Sequence, residues 1–196
     1  GSFTSSFDMV VSGVEYANSP NERHMLDGET KKTDGFDKPI GENATIHQGD
    51  ARELDYTDEF DAIITDPPYY DNVIYSELSN YFYVWQRSIL KESYSIFDPK
   101  ETPRAESIVS NPAENKDVEV FESELRQAFS TIRRALKEEG SLTFTYHHSG
   151  SESWGELLEA LCDVGFEVTA TYPISADINK FTKGEAVSFD IVVVAR

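Results

Sequence analysis

Apolar residues recur along this chain at two spacings, and the alternation between them sketches an α/β domain. In residues 117–139, Val118, Phe121, Leu125, Ala128, Phe129, Ile132 and Leu136 fall at steps of three and four. That spacing lines one side of an α-helix, and Gly140 follows as the expected terminator. Leu78, Tyr81, Phe82, Trp85 and Ile89 repeat the helical spacing earlier in the chain, as an aromatic stripe that reads as core rather than as a stacking platform. Trp154, Leu157, Leu158 and Leu161 mark a third helix, stopped by Gly165. Between the helices lie shorter runs of strand character. Residues 44–48 form one, closed by Gly49 and Asp50, with a brief turn at Arg52, Glu53 and Leu54. Phe60 to Thr65 is the next, and its unbroken Ala62, Ile63 and Ile64 suggest burial on both faces, as in a parallel sheet. Residues 142–146 alternate, residues 166–172 follow, and Phe189 to Ala195 closes the series with Ile191, Val192, Val193 and Val194. Strands alternating with helices predict a largely parallel sheet.

The remainder organises around these runs. Residues 1–43 are rich in Gly, Asn, Ser, Asp and Glu, lack a sustained period, and read as an irregular N-terminal arm packed through Phe7, Met9, Val10 and Val11. Residues 44–196 form the α/β domain. Residues 91–115 are a long connection with Pro99, Pro103 and Pro112, and a loop of that length in a compact domain is usually functional or mobile. Residues 173–187 read as a second loop, with Lys180, Lys183 and Gly184.

Charge narrows the possible partners. With 36 acidic residues against 17 basic ones, the formal charge is −19 over 196 residues. Phosphate binding rests on Lys and Arg, so an exposed duplex-DNA groove on this chain is not expected. A strongly acidic surface suits a protein that lives in high salt, where self-repulsion is screened, so a halophilic source is expected. The single cysteine, Cys162, excludes an internal disulfide and any cysteine-based zinc site, and no metal site is expected. It falls on the apolar side of its helix, as a buried thiol would. No apolar run reaches membrane-spanning length and no signal-peptide pattern is present, so a cytoplasmic protein is expected. Gly1-Ser2 has the look of a tag remnant.

The chemistry concentrates at the end of the Phe60–Thr65 run, where Asp66-Pro67-Pro68-Tyr69 follows. An acidic residue, two prolines and an aromatic at the mouth of a buried strand suit methyl transfer to a planar exocyclic amine. The carboxylate accepts one N–H of the amine, the Pro67 carbonyl accepts the other, and Tyr69 offers a face to a flipped base. Each proline also fixes φ near −65° and stiffens the loop. Tyr70 and Asn72 extend this base pocket in one reading. In the other, Tyr70 packs under the loop and Asp71 or Asn72 caps the next helix. Asp50 either contacts the adenine of a nucleotide-like cofactor, since ligands collect at the carboxyl ends of strands, or simply closes a strand-end turn. His147 and His148 stand side by side after a strand and so point to opposite faces. They are poor joint ligands, and read either as a solvated strand end or with one of them lining the pocket edge. Glu119, Glu122 and Glu124 read as solvated helix surface.

The stretch from Thr65 to Trp85, TDPPYYDNVIYSELSNYFYVW, resembles the adenine-specific DNA methylases that carry a zinc-ribbon insertion. So do residues 154–173, WGELLEALCDVGFEVTATYP, and the closing IVVVAR. FDMV at Phe7 and YANSP at Tyr16 look like a degraded form of that family's segment before its catalytic half. The resemblance implies a Rossmann-like methyltransferase fold, S-adenosylmethionine as methyl donor and adenine N6 in DNA as acceptor. It implies that Asp66, Pro67, Pro68 and Tyr69 form the catalytic loop and that Asp50 touches the cofactor. One departure is large. The family's glycine-rich loop after its first strand has no counterpart here, and neither does its zinc ribbon. The chain therefore resembles the carboxy-terminal half of such an enzyme, a fold lacking its first two strands. Those strands would lie between the strand ending at Gln48 and the strand ending at Thr65. Without them, the chain is expected either to re-pair its strands directly or to depend on a partner for that edge, the upstream half or a self-associating copy. Two rivals remain open at this point: methylation of RNA or another planar amine, and a non-catalytic binding module lacking a cofactor site.

Overall fold

The structure, a computed structural model, describes residues 3–33, 38–70, 75–111, 115–148, 150–175 and 189–196. It divides into two compact units, Gly1–Gln48 and Gly49–Arg196.

The first unit is more regular than its composition suggests. It holds helix α1 (Phe3–Asn18) and the antiparallel hairpin β1 (Arg23–Leu26) and β2 (Glu29–Lys32). Asp27 and Gly28 turn the hairpin with φ of 53° and 79°, the two positive values that a tight primed turn requires. The expected strand at residues 44–48 does not form, and Ile46 is 96% exposed.

The second unit holds β3 (Phe60–Thr65), α2 (Tyr75–Leu90), α3 (Val118–Ala135), β4 (Leu136–Tyr146), α4 (Ser151–Asp163), β5 (Val168–Ser175) and β6 (Phe189–Ala195). Their sheet runs β3-β4-β6-β5, and β3 with β4 is its one parallel pair among the described residues. The sheet is mixed rather than largely parallel because β6 inserts antiparallel between β4 and β5. Helices α3 and α4 cover one face. Phe121, Leu125, Phe129 and Ile132 of α3 meet Leu142, Phe144 and Tyr146 of β4, Leu157 and Leu161 of α4, and Val193 of β6, all buried. Burying each such side chain contributes about 1.5–3 kcal/mol. Asp117 caps α3 by accepting the Val120 amide at 3.0 Å.

Gly140 does not terminate α3, which ends at Ala135 and runs directly into β4. It sits instead at a register shift between β3 and β4, where an added Cβ would lie 3.0 Å from the carbonyl oxygens of both Phe60 and Lys137. A side chain there would push the strands apart.

Several expectations about burial fail: in the first unit, Phe7, Met9, Val10 and Val11 are exposed rather than packed. Strand β3 is not buried on both faces: Ile63 packs against the core, whereas Ile64 is 80% exposed. Ile64 pairs in register with Thr143, and Thr143 with Val194, so all three stand on the sheet face away from α3 and α4. Strand β3 is also the sheet's edge, with β4 its sole neighbour among the described residues. Among the described residues, no strand has re-paired with the free edge of β3. The aromatic stripe of α2 is likewise outside the core: Leu78, Tyr81, Phe82, Trp85 and Ile89 are all exposed, and Tyr83 is the helix's buried residue. The Tyr83 hydroxyl donates to the Pro99 carbonyl at 2.8 Å and its ring stacks on Phe97, so α2 packs against the strap that follows it.

Among the charged residues, Glu124 is not solvated surface. It pairs with Arg52 at 2.8 Å and Lys116 at 2.7 Å, and these side chains are largely buried. Cys162 is exposed, not a core thiol. No helix among the described residues is long and apolar enough to cross a membrane.

Candidate functional site

Thr65 is the last residue of β3, so Asp66 leaves the sheet at the strand's carboxyl end, where open α/β sheets collect ligands. The parallel register sets Thr65 opposite Phe144, which brings the next residue of β4, Thr145, alongside Asp66. The Thr145 hydroxyl donates a short hydrogen bond to Asp66 Oδ1, and the Tyr69 hydroxyl donates to the same oxygen at 2.6 Å. Both described bonds fall on Oδ1, leaving Oδ2 of this exposed residue without one among the described residues.

Pro67 is buried and Pro68 half-buried, which anchors the loop between the carboxylate and the ring. Tyr69 is held from several sides. Its ring meets Tyr146 edge-on at 5.5 Å and lies over His147 at 6.2 Å with planes 29° apart. Burial, then the hydrogen bond to Asp66, pushes the Tyr69 hydroxyl up to about 12, so it remains a donor through the neutral range. Below it, Tyr146 shares a short hydrogen bond with Ser153 and meets the Trp154 ring edge-on at 4.8 Å. The loop is thus seated on the buried core.

Tyr70 takes the packing role of its two readings. With φ of 58° it turns inward, meets Phe121 at 5.2 Å and His148 at 5.6 Å, and accepts the Ser110 amide at its carbonyl. Asn72 and Asp71 lie outside the described residues. The two histidines do point apart, yet both are half-buried and engaged: His147 with Asp190 and Tyr69, His148 with Tyr70 and the Gly150 amide.

Asp50 stands in a separate constellation. It caps the short turn Ala51–Glu53 and binds Arg52 through Nε and Nη2, the latter at 2.6 Å. The Arg52 hydrogen bond holds the Asp50 carboxyl below its ordinary range. Arg52 and Lys116 both reach Glu124 of α3, so this network ties the entry of the unit to the helix. Asp50 and Asp66 have no common partner among the described residues. Elsewhere, Glu122, Glu159 and Asp163 bring carboxylate oxygens within 4.8 Å of one another, but Arg126 already pairs with Glu122 and Asp163.

The partners that the sequence did not reveal are Thr145 and Asp190; of the two histidines, His147 stands beside Tyr69. The signal for Thr145 and Asp190 is the strand register, which local periodicity does not carry.

No family model and no curated protein matches the chain. Among solved structures, it is similar to a presumed DNA modification methylase from Thermus thermophilus at 13% identity and a TM-score of 0.42, covering 76% of this chain and 50% of that one. It is also similar to a TehB-like SAM-dependent methyltransferase from Corynebacterium glutamicum at 18% identity and a TM-score of 0.34, covering 75% of this chain and 53% of that one. The chain therefore spans about half the length of each. Likeness at this level fixes neither family nor activity.

Proposed function

We propose that the second unit is the target-base half of an S-adenosylmethionine-dependent DNA methyltransferase acting on adenine N6. The observation that carries this reading is the Asp66 carboxylate at the carboxyl end of β3, fixed through one oxygen by Tyr69 and Thr145 with the other left for an amine. An adenine amino group donates one N–H to Asp66 Oδ2 and the other to the Pro67 carbonyl. These bonds draw the nitrogen lone pair out of ring conjugation and aim it in line for attack. Much of the rate comes from holding that geometry and from a carboxylate preorganised against the charge that develops on nitrogen. Tyr69 stacks on the flipped base.

S-Adenosylmethionine, when bound, supplies an activated methyl group. The described residues of this unit do not form a cradle for it. The Asp50 carboxylate, the one expected cofactor contact, is taken up by Arg52. Asp50 as a direct cofactor contact thus requires that pair to open. The reading assigns the donor site to strands that join the open edge of β3, from an upstream half or from a second copy. The acidic chain leaves the basic surface for DNA to that partner as well.

The test is product analysis. The full-length protein is incubated with S-adenosylmethionine and unmethylated DNA in molar potassium chloride, and the digested nucleosides are read by mass spectrometry. N6-Methyldeoxyadenosine is the expected product. Methylation confined to RNA or to cytosine would move the substrate assignment. A folded protein that yields no methylated nucleoside would leave a binding module.

A further inference from the structure

We propose that His147, fixed by Asp190, is a positioning residue that holds the Tyr69 ring against Asp66. The inference rests on the reading of Asp66 and Tyr69 as the acceptor site, and goes beyond it by assigning the pair that keeps the site in shape.

The geometry begins in the sheet. Strands β4 and β6 pair antiparallel, with Thr145 opposite Val192 and Tyr146 opposite Ile191. One step further, the same register sets His147 opposite Asp190. Their side chains meet, with Nδ1 2.5 Å from Asp190 Oδ1, and each is about a quarter exposed, at 24% and 25%. A bond of this kind fixes which ring nitrogen faces the carboxylate and therefore fixes the plane of the imidazole. That plane lies 29° from the plane of Tyr69, with ring centroids 6.2 Å apart.

Tyr69 is consequently backed by the imidazole on one face and by the edge of Tyr146. Its hydroxyl is aimed at Asp66 Oδ1. Remove the imidazole and the Tyr69 ring gains room to rotate, which costs Asp66 one of its two described donors and the base its stacking plane. His147 touches neither the base nor the methyl donor in this arrangement. Its effect passes through Tyr69. Displacements of about 1 Å in such supports cost on the order of 10²-fold in rate.

The test compares His147→Ala, His147→Phe, Asp190→Ala and Asp190→Asn. In this chain, tyrosine ring NMR, with Tyr69 identified by its loss in Tyr69→Phe, reads the ring directly. In the wild type, Tyr69 is expected to show shifted, restrained ring resonances. These should collapse towards those of an exposed tyrosine in His147→Ala and Asp190→Ala, and persist in His147→Phe and Asp190→Asn. In the full-length protein, kcat is expected to fall about 10- to 100-fold in the two alanine variants, with KM for S-adenosylmethionine unchanged and most of kcat restored by His147→Phe. A merely structural role would lower the melting temperature and the active fraction without that rescue. Unchanged Tyr69 resonances in His147→Ala would overturn the proposal. Altered Tyr69 resonances in His147→Ala, alongside a wild-type protein that makes no methylated product, would uphold it and overturn the methyltransferase reading instead.

Discussion

Replacing Asp66 with alanine is expected to lower methyl transfer by about 10²- to 10³-fold, the cost of removing one preorganised polar group at the reacting centre. The fold should survive. Asp66 is exposed, follows the last residue of β3, and contributes hydrogen bonds only to Tyr69 and Thr145 among the described residues. Bonds of this kind contribute about 0.5–1.5 kcal/mol each, and both donors lie close enough to water to be re-solvated. A normal melting temperature with a collapsed kcat is therefore the expected signature. Asp66→Asn should fall between alanine and wild type, since it keeps one oxygen acceptor but loses the charge and presents an N–H to the incoming amine. Wild-type rates in Asp66→Ala would remove the loop from the mechanism.

The second large effect concerns the scaffold beneath the loop. Phe144→Ala is expected to cost about 3–5 kcal/mol, the range for truncating a buried aromatic in a core that cannot collapse around the gap. Phe144 is 1% exposed, packs at 6.0 Å from Phe129 of α3, and directly precedes Thr145, which donates to Asp66. Typical domains have only about 5–15 kcal/mol in hand, so the loss takes a large share of the total. Denaturant titration should show a lower midpoint at unchanged slope. A cost below about 1 kcal/mol would mean that α3 is not seated on β4 as described.

What the sequence revealed divides along a physical line. Local periodicity identifies helices, and α2, α3 and α4 stand close to where their apolar spacings put them. Periodicity also says that a helix has an apolar side, but not whether anything covers it. The stripe from Leu78 to Ile89 is as regular as the one from Phe121 to Ile132, yet only the second is buried. The same limit applies to β3, whose Ala62-Ile63-Ile64 run looks buried on both faces while the structure covers only one. In the first unit, the Asp27-Gly28 turn was present in the sequence, but flanking residues such as Arg23, His24, Lys31 and Lys32 lack the alternation that would have marked a hairpin.

At the site, residues adjacent in sequence were legible and residues adjacent only in space were not. Asp66, Pro67, Pro68 and Tyr69 announce themselves within four positions, and the structure brings Asp66 and Tyr69 into contact. Thr145 reaches Asp66 across 79 residues through a parallel register, and Asp190 reaches His147 across 43 through an antiparallel one. Register depends on which faces are buried and on how strands are connected, and neither is visible in a single run of residues. Tyr70 shows the complementary case: next to Tyr69 in sequence, it is carried inward by its left-handed backbone and serves the core.

The central claim is that the Asp66–Tyr69 loop receives an adenine. It is tested most directly by following backbone amide NMR shifts of this chain as short single strands are added in molar potassium chloride, one strand containing a single adenine among thymines and the other thymine alone. The account predicts saturable shifts centred on Asp66, Tyr69 and Thr145 with the adenine strand, lost in Tyr69→Ala. Equal shifts from both strands, or shifts confined to residues away from this loop, would contradict it.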